Sequence, residues 1–319
     1  MQDIIDYADG ISAIDAHYER PLLGAVHIIV EDGRAAVIDT AHNGAVPRIL
    51  DALRRKGIAP EAVDYVMLTH IHLDHAGGAG QLMRLLPAAR LTVHPRGARH
   101  MRDPGKLIEG VYAVYGEEEG KRMYGDILPI PGERIIEAVD GGSVRLGAHG
   151  RTLSFLDTPG HARHHVAIRD SRSGHVFTGD TFGLSYREFD VDGRASIFPT
   201  TSPVQFEPDA AHASVDAILA LQPEAIYLTH FMQVRDVPRI GAEMHRLIAA
   251  HEAIARREFG APADAARHER MRAAIVELVR DEARRHGWRV PESKVFEVLG
   301  MDIELNAQGL GCWVDAQRG

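Results

Sequence analysis

Over its first two-thirds the chain alternates short apolar runs with amphipathic stretches. Residues 25–30 and 35–39 are two apolar runs joined by Glu31-Asp32-Gly33-Arg34, which predicts a β-hairpin. Residues 46–55 have helical spacing and stop at Gly57. A buried strand follows at 65–68, then Gly77-Gly78 and a helix at about 81–86 ended by Pro87. Further strands are expected at 91–93, 152–156, 166–169, 176–178 and 225–228. From about residue 239 the texture changes to two long helical patterns, 240–258 and 263–286, and a third short one at about 305–314. The chain carries no internal repeat. This pattern divides it into a first domain over 1–240, partly helical in the stretch at about 96–151, and a C-terminal helical extension over 241–319.

Composition narrows the class. A chain of 319 residues is long enough to bury a large core, and its 45% hydrophobic content is ordinary for a globular protein. A net charge of -9 argues against wholesale binding to nucleic acid or an anionic membrane. Cys312 is the only cysteine, so neither an intrachain disulfide nor a thiolate metal site is available. The N-terminus reads as no signal peptide and no apolar run reaches membrane-spanning length, so a cytoplasmic protein is expected. A homodimer is expected only because it is the commonest assembly.

The densest chemistry is Thr69-His70-Ile71-His72-Leu73-Asp74-His75, directly after an apolar strand. Imidazole nitrogens and carboxylate oxygens are the donors zinc and iron prefer, and four of them in one turn cannot all reach one ion in good geometry. The spacing therefore points to two neighbouring ions. Three further strands also run into a His or Asp. Thr158-Pro159-Gly160-His161 presents His161 on a tight turn, and Thr178-Gly179-Asp180-Thr181 presents Asp180 beside a glycine that permits close backbone approach. Leu228-Thr229-His230 repeats the opening order of apolar strand, threonine, histidine. Four strands ending in a His or Asp is what a site at one edge of a sheet requires.

These residues, H-x-H-x-D-H followed in order by a His, an Asp and a His, resemble the signature of the metallo-β-lactamase superfamily over about residues 20–235. The resemblance implies an α/β (α+β) chain folded as an αββα sandwich, with the metal site at one edge and the helical extension at the C-terminus. It implies that His70, His72 and His161 hold one ion, that Asp74, His75 and His230 hold a second, and that Asp180 bridges them. Asp39 looks like the family's acid that orients the ligands. Two divalent ions are implied, zinc first, with iron or manganese as alternatives. The implied activity is hydrolysis of a small ester, lactone or thioester by a metal-bridging hydroxide, with Asp74 as the general base that passes the proton to the leaving group.

The substrate is less legible. The long stretch between the histidine cluster and His161 includes Tyr112, Tyr115 and Tyr124, the makings of a cap. Tyr186 and Arg187 follow Asp180 closely and are the expected substrate contacts. His164 and His165 are candidate donors behind the ligands, His27, His42 and His94 are structural or solvated, and histidines beyond 240 lie on solvated helix faces. The C-terminal arginines alternate with acids, as on a solvated helix surface. The competing reading is a mononuclear iron oxidoreductase similar to persulfide dioxygenases, using His70, His161 and Asp180; the retention of every second-site ligand argues against it.

Overall fold

A computed structural model describes residues 4–317. The first sheet has the order β1 (Ile4–Asp6), β2 (Ile11–Asp15), β3 (Ala25–Glu31), β4 (Arg34–Ile38), β5 (Val63–Met67), β6 (Arg90–Val93) and β7 (Ile135–Glu137). It is antiparallel from β1 to β4 and parallel from β4 to β7. The second sheet runs β8 (Ser143–Leu146), β9 (Arg151–Asp157), β10 (Val166–Asp170), β11 (Val176–Phe177), β12 (Ala225–Leu228) and β13 (Met232–Arg235). Its strands are antiparallel from β8 to β11, and β11 pairs parallel with β12. Both sheets are mixed.

The period-two alternation of the strands sorts their side chains into two cores. Ile29, Ala36, Ile38 and Met67 of the first sheet face Leu153, Phe155, Val166, Ile168 and Phe177 of the second, forming the centre of the sandwich. Their sequence neighbours Ile28, Ala35, Val37 and Val66 point the other way. There they meet α1 (Val46–Arg55), with Pro47 in its first turn and Ile49 and Leu53 buried, followed by the short α2 (Leu73–Ala76) and by α3 (Ala79–Leu85). Three more helices, α4 (Pro95–Arg102), α5 (Gly105–Tyr115) and α6 (Glu117–Tyr124), lie in the chain between β6 and β7. The stretch 96–151 is thus helical only as far as Tyr124, and its later part supplies β7 and β8, one edge strand to each sheet.

The remaining helices are α7 (Pro208–Ala220), α8 (Val237–Arg257), α9 (Ala265–His286) and α10 (Glu292–Ala316). α9 is capped by Asp264, whose side chain accepts from the Arg267 N–H, and ends at Gly287 in the left-handed conformation. The last helix corrects the short element expected at 305–314. It begins at Glu292 after Pro291 and runs for 25 residues. Its internal Gly300, Gly309 and Gly311 weaken the helical signal in sequence, yet Gly309 packs so closely that a Cβ there would fall 1.6 Å from the Thr201 carbonyl oxygen.

The chain divides into two compact units that interleave along the sequence. The first holds everything up to Asp157 with His164–Gly179 and Ile226–Gln233; the second holds Thr158–Arg163, Asp180–Ala225 and Val234 onward. Among the described residues no helix is long and apolar enough to cross a membrane.

Candidate metal centre

Strand direction decides where the ligands emerge. In the first unit β4 and β5 are parallel neighbours, so Asp39 and the histidine loop leave the first sheet at the same edge. In the second sheet β11 and β12 are parallel, so Gly179 and Thr229-His230 likewise follow strand ends of one direction. The main chain links the two edges: the Val166 N–H donates to the Thr69 carbonyl at 2.8 Å.

Asp39 organises this edge. It stands just past β4 at φ 57°, a left-handed conformation that Asp adopts more readily than most residues. It is buried, and its carboxylate accepts from the Thr69 N–H at 2.8 Å, the Thr69 hydroxyl at 2.9 Å, the Thr229 hydroxyl at 2.8 Å and His75 Nδ1 at 2.8 Å. The two threonines that precede His70 and His230 in the sequence therefore share one acceptor. Neither hydroxyl role is visible from the sequence; the repeated strand–threonine–histidine order was its only trace. Thr40 closes the loop from the other side, its N–H and hydroxyl donating to the His75 carbonyl at 2.7 and 2.9 Å.

These bonds set the imidazole tautomers. A carbonyl or carboxylate oxygen can only accept, so His75 Nδ1 donates to Asp39 and His230 Nδ1 donates to the Leu23 carbonyl at 2.7 Å. In each neutral ring Nε2 is then the acceptor nitrogen, the form that binds a metal. Both Nε2 atoms point at the same carboxylate oxygen: Asp74 Oδ2 lies 3.6 Å from His75 and 3.3 Å from His230. The ligand atoms of Asp74, His75 and His230 all lie within 4.8 Å of one another. A carboxylate with two acceptor nitrogens is a donor set that suits a divalent cation. Alongside, His70 Nε2 and His72 Nδ1 converge to 2.9 Å. His165 stacks on His70 with ring centres 5.0 Å apart. Gly179 makes room for that stack, since a Cβ would come within 2.6 Å of His165 Nε2 and 2.7 Å of Thr69.

The second unit repeats the tautomer logic. His161 Nδ1 donates to the Thr200 carbonyl at 3.2 Å, which turns Nε2 to within 3.5 Å of Asp180 Oδ2. The loop after Asp180 is taken up inside this unit. Tyr186 is only 1% exposed and its hydroxyl donates to the Asp302 carboxylate at 3.2 Å. Arg187 Nε donates to the Ser185 carbonyl at 3.1 Å, and its guanidinium pairs with Asp190 at 3.3 Å. Both side chains brace their own loop.

The histidine expectations need correction at two positions: the His286 side chain, only 7% exposed, lies between Glu243 and Glu282 rather than on a solvated face. His251, beyond residue 240, is fully buried rather than solvated, donating to the Leu247 carbonyl at 2.8 Å with Phe198 edge-on at 5.2 Å. Burial pulls its pKa down to about 4. Arg267 is likewise buried, paired with Asp315 at 2.6 Å. His27 is structural, as expected, and lies buried against Phe177 and Tyr227, where burial lowers it to about 4. His94 caps α4 and pairs with Asp157 at 3.2 Å.

Two phenols of the first unit lie near Asp74. The Tyr18 hydroxyl donates to the Tyr124 hydroxyl at 2.8 Å, and the rings stack at 5.9 Å. Burial, with the neighbouring phenol and the Asp74 carboxylate adding to it, pushes Tyr18 well above the usual phenol range. Burial and then Asp74 do the same to Tyr124, so both stay protonated hydrogen-bond donors. Sequence reasoning placed Tyr124 in a cap and gave no role to Tyr18.

The profile of the metallo-beta-lactamase superfamily matches residues 20–230, and the chain belongs to that superfamily. It is 25% identical over 223 residues to a metallo-beta-lactamase fold-containing protein of Sulfurisphaera tokodaii, covering 66% of this chain and 74% of the relative. It is 29% identical over 188 residues to a hydroxyacylglutathione hydrolase of Xanthomonas campestris pv. campestris. That match covers 56% of this chain and 51% of the relative, so the chain spans about half the length of the hydrolase it resembles. Among solved structures, an archaeal metallo-beta-lactamase superfamily protein from Sulfolobus tokodaii superimposes with a TM-score of 0.64 at 22% identity, covering 95% of this chain and 99% of that one. A metallo-beta-lactamase family protein from Thermus thermophilus gives 0.62 at 20% identity, covering 97% and 93%. These two likenesses establish the fold.

Proposed function

We propose that the protein is a binuclear metal-dependent hydrolase of a small ester, lactone or thioester. The observation that carries this reading is the convergence of His75 Nε2 and His230 Nε2 on Asp74 Oδ2, with each Nδ1 already committed to a fixed oxygen. In this reading Asp74, His75 and His230 would hold one ion and His70, His72 and His161 the other, with Asp180 as a further ligand. When bound, two divalent ions, zinc first, would supply an activated water and polarise the substrate's carbonyl oxygen. The chain supplies the rest. Asp39 holds His75, Thr69 and Thr229 in place, so the ligand histidines need little rearrangement on loading. Asp74 stands where a carboxylate can take the attacking water's proton and return it to the leaving group. Thioesters belong among the candidate substrates because a hydroxyacylglutathione hydrolase is among the relatives. Tyr186 and Arg187, first expected to touch substrate, are assigned here to holding the loop after Asp180.

The test is elemental analysis of protein purified without chelator or added metal, followed by ester, lactone and thioester assays. Two zinc ions per chain, with hydrolysis lost on chelation and restored by zinc, are expected. One iron per chain with oxygen uptake would overturn the reading in favour of oxygen chemistry. The Asp74→Asn variant should keep most of its metal while kcat falls about 10²–10⁴-fold; turnover at the wild-type level would remove Asp74 from proton transfer.

A further inference from the structure

The helices between β6 and β7 leave a hollow. A cavity of about 260 Å³ within the first unit is walled by Leu73, Ile108, Val111, Tyr124 and Leu128, among others. Leu73 is the residue between His72 and Asp74, so this wall is continuous with the ligand loop. On its far side α5 carries Leu107, Ile108, Val111, Tyr112 and Tyr115, the i, i+1, i+4, i+5, i+8 spacing of a single helix face. Yet none of the described residues of α5 is buried. The face is apolar enough for a core yet stays half-buried, packed in part on α6 where Tyr112 and Val111 lie against Gly120. Among the described residues of the cavity wall the only charged one is Asp126, which would repel an anion rather than bind one.

We propose that this hollow binds the unbranched apolar acyl chain of the substrate, with the scissile carbonyl toward Asp74. The proposal rests on the hydrolase reading and narrows it from any small ester or thioester to one with a neutral, extended acyl group. It sets this chain apart from a glutathione conjugate, whose carboxylates would meet Asp126 and no cation. A methylene takes about the volume of a water molecule, roughly 30 Å³, so the hollow has room for about eight. Each methylene moved from water into an apolar wall strengthens binding by about fourfold.

The experiment is calorimetric titration of the metal-loaded protein with straight-chain carboxylates from acetate to decanoate, the products of the corresponding acyl esters. Affinity is expected to rise about fourfold per methylene and to level off near octanoate. Val111→Trp, which fills the hollow, should reduce octanoate binding to that of acetate, and metal content per chain, measured alongside, reports that the site is folded. Ile108→Ala, which only removes bulk, should move the plateau to longer chains. Octanoate bound no more tightly than acetate, or equally tightly in Val111→Trp, overturns the assignment whatever the protein hydrolyses. If octanoate binds as expected but no octanoyl ester, lactone or thioester is cleaved, the hollow stands and the hydrolase reading is the one that fails.

Discussion

The ligand loops and the cap helices of the first unit are built on opposite principles. At the strand ends one buried carboxylate takes four hydrogen bonds from two segments far apart in the chain, and each histidine it or a carbonyl fixes has a single orientation. In the cap, α5 buries none of its described residues, and α6 buries only Gly120, Met123 and Tyr124 while its charged pairs, Lys121 with Glu117 and Arg122 with Glu119, stay exposed. Exposed pairs of that kind contribute little to stability. The loops are over-determined and the cap is under-determined. A metal centre needs fixed distances, whereas a pocket for a flexible chain tolerates movement, so on the two proposed readings each part is held with the stringency its chemistry demands.

The comparison breaks most visibly at Asp39. Asp39→Ala strands two buried hydroxyls and His75 Nδ1, and should cost about 3–5 kcal/mol of stability. Asp39→Asn keeps the shape but replaces an acceptor oxygen with a donor, and should weaken metal binding about 10–100-fold. Thermal unfolding and chelator competition read the two effects; a wild-type affinity in Asp39→Asn would mean that the loops hold themselves.

The rigid side also predicts an acid response. His27 binds a proton only near pH 4 in the fold but near 6.5 when unfolded. Above about pH 6.5 neither state is charged and its contribution is complete. Between 6.5 and 4 the unfolded chain takes up the proton first, so stability falls by up to about 3 kcal/mol. His27→Phe should flatten that part of a urea-unfolding pH profile, and an unchanged slope would place the acid sensitivity elsewhere. The cap should respond least. Tyr124→Phe leaves the Tyr18 hydroxyl without its acceptor and should cost about 1 kcal/mol, with metal content unchanged. Loss of metal in this variant would show that cap and loops are not separable.

The candidate ligand set was legible because its signal is local: three imidazoles and a carboxylate sit on one loop, and the others follow apolar runs. Strands β3 to β6 and β9 to β12 were legible because they are dense in apolar residues, while their αββα arrangement was implied only by the family resemblance. What escaped has physical causes. β7 and β8 are three and four residues long, too short for alternation to register against a helical background. The length of α10 was hidden by glycines that serve close packing. The Asp39 hub joins residues up to 190 positions apart, which no spacing rule reaches. Tyr186, close behind a ligand in sequence, points into a buried carboxylate contact, a direction that proximity along the chain cannot specify.

The position of the cap has a consequence of another kind. β6 and β7 are parallel neighbours, and parallel strands can be joined only by a crossover of a dozen or more residues. The chain had to make this excursion in any case, and α4, α5 and α6 are what it made of it. Ala98, Met101 and Ile130 anchor the two ends of this excursion in the core, but the α5 stretch between them buries none of its described residues and can be rewritten without touching any residue proposed here to hold metal. On the proposed reading of the hollow, that makes selectivity the easiest property of this molecule to change.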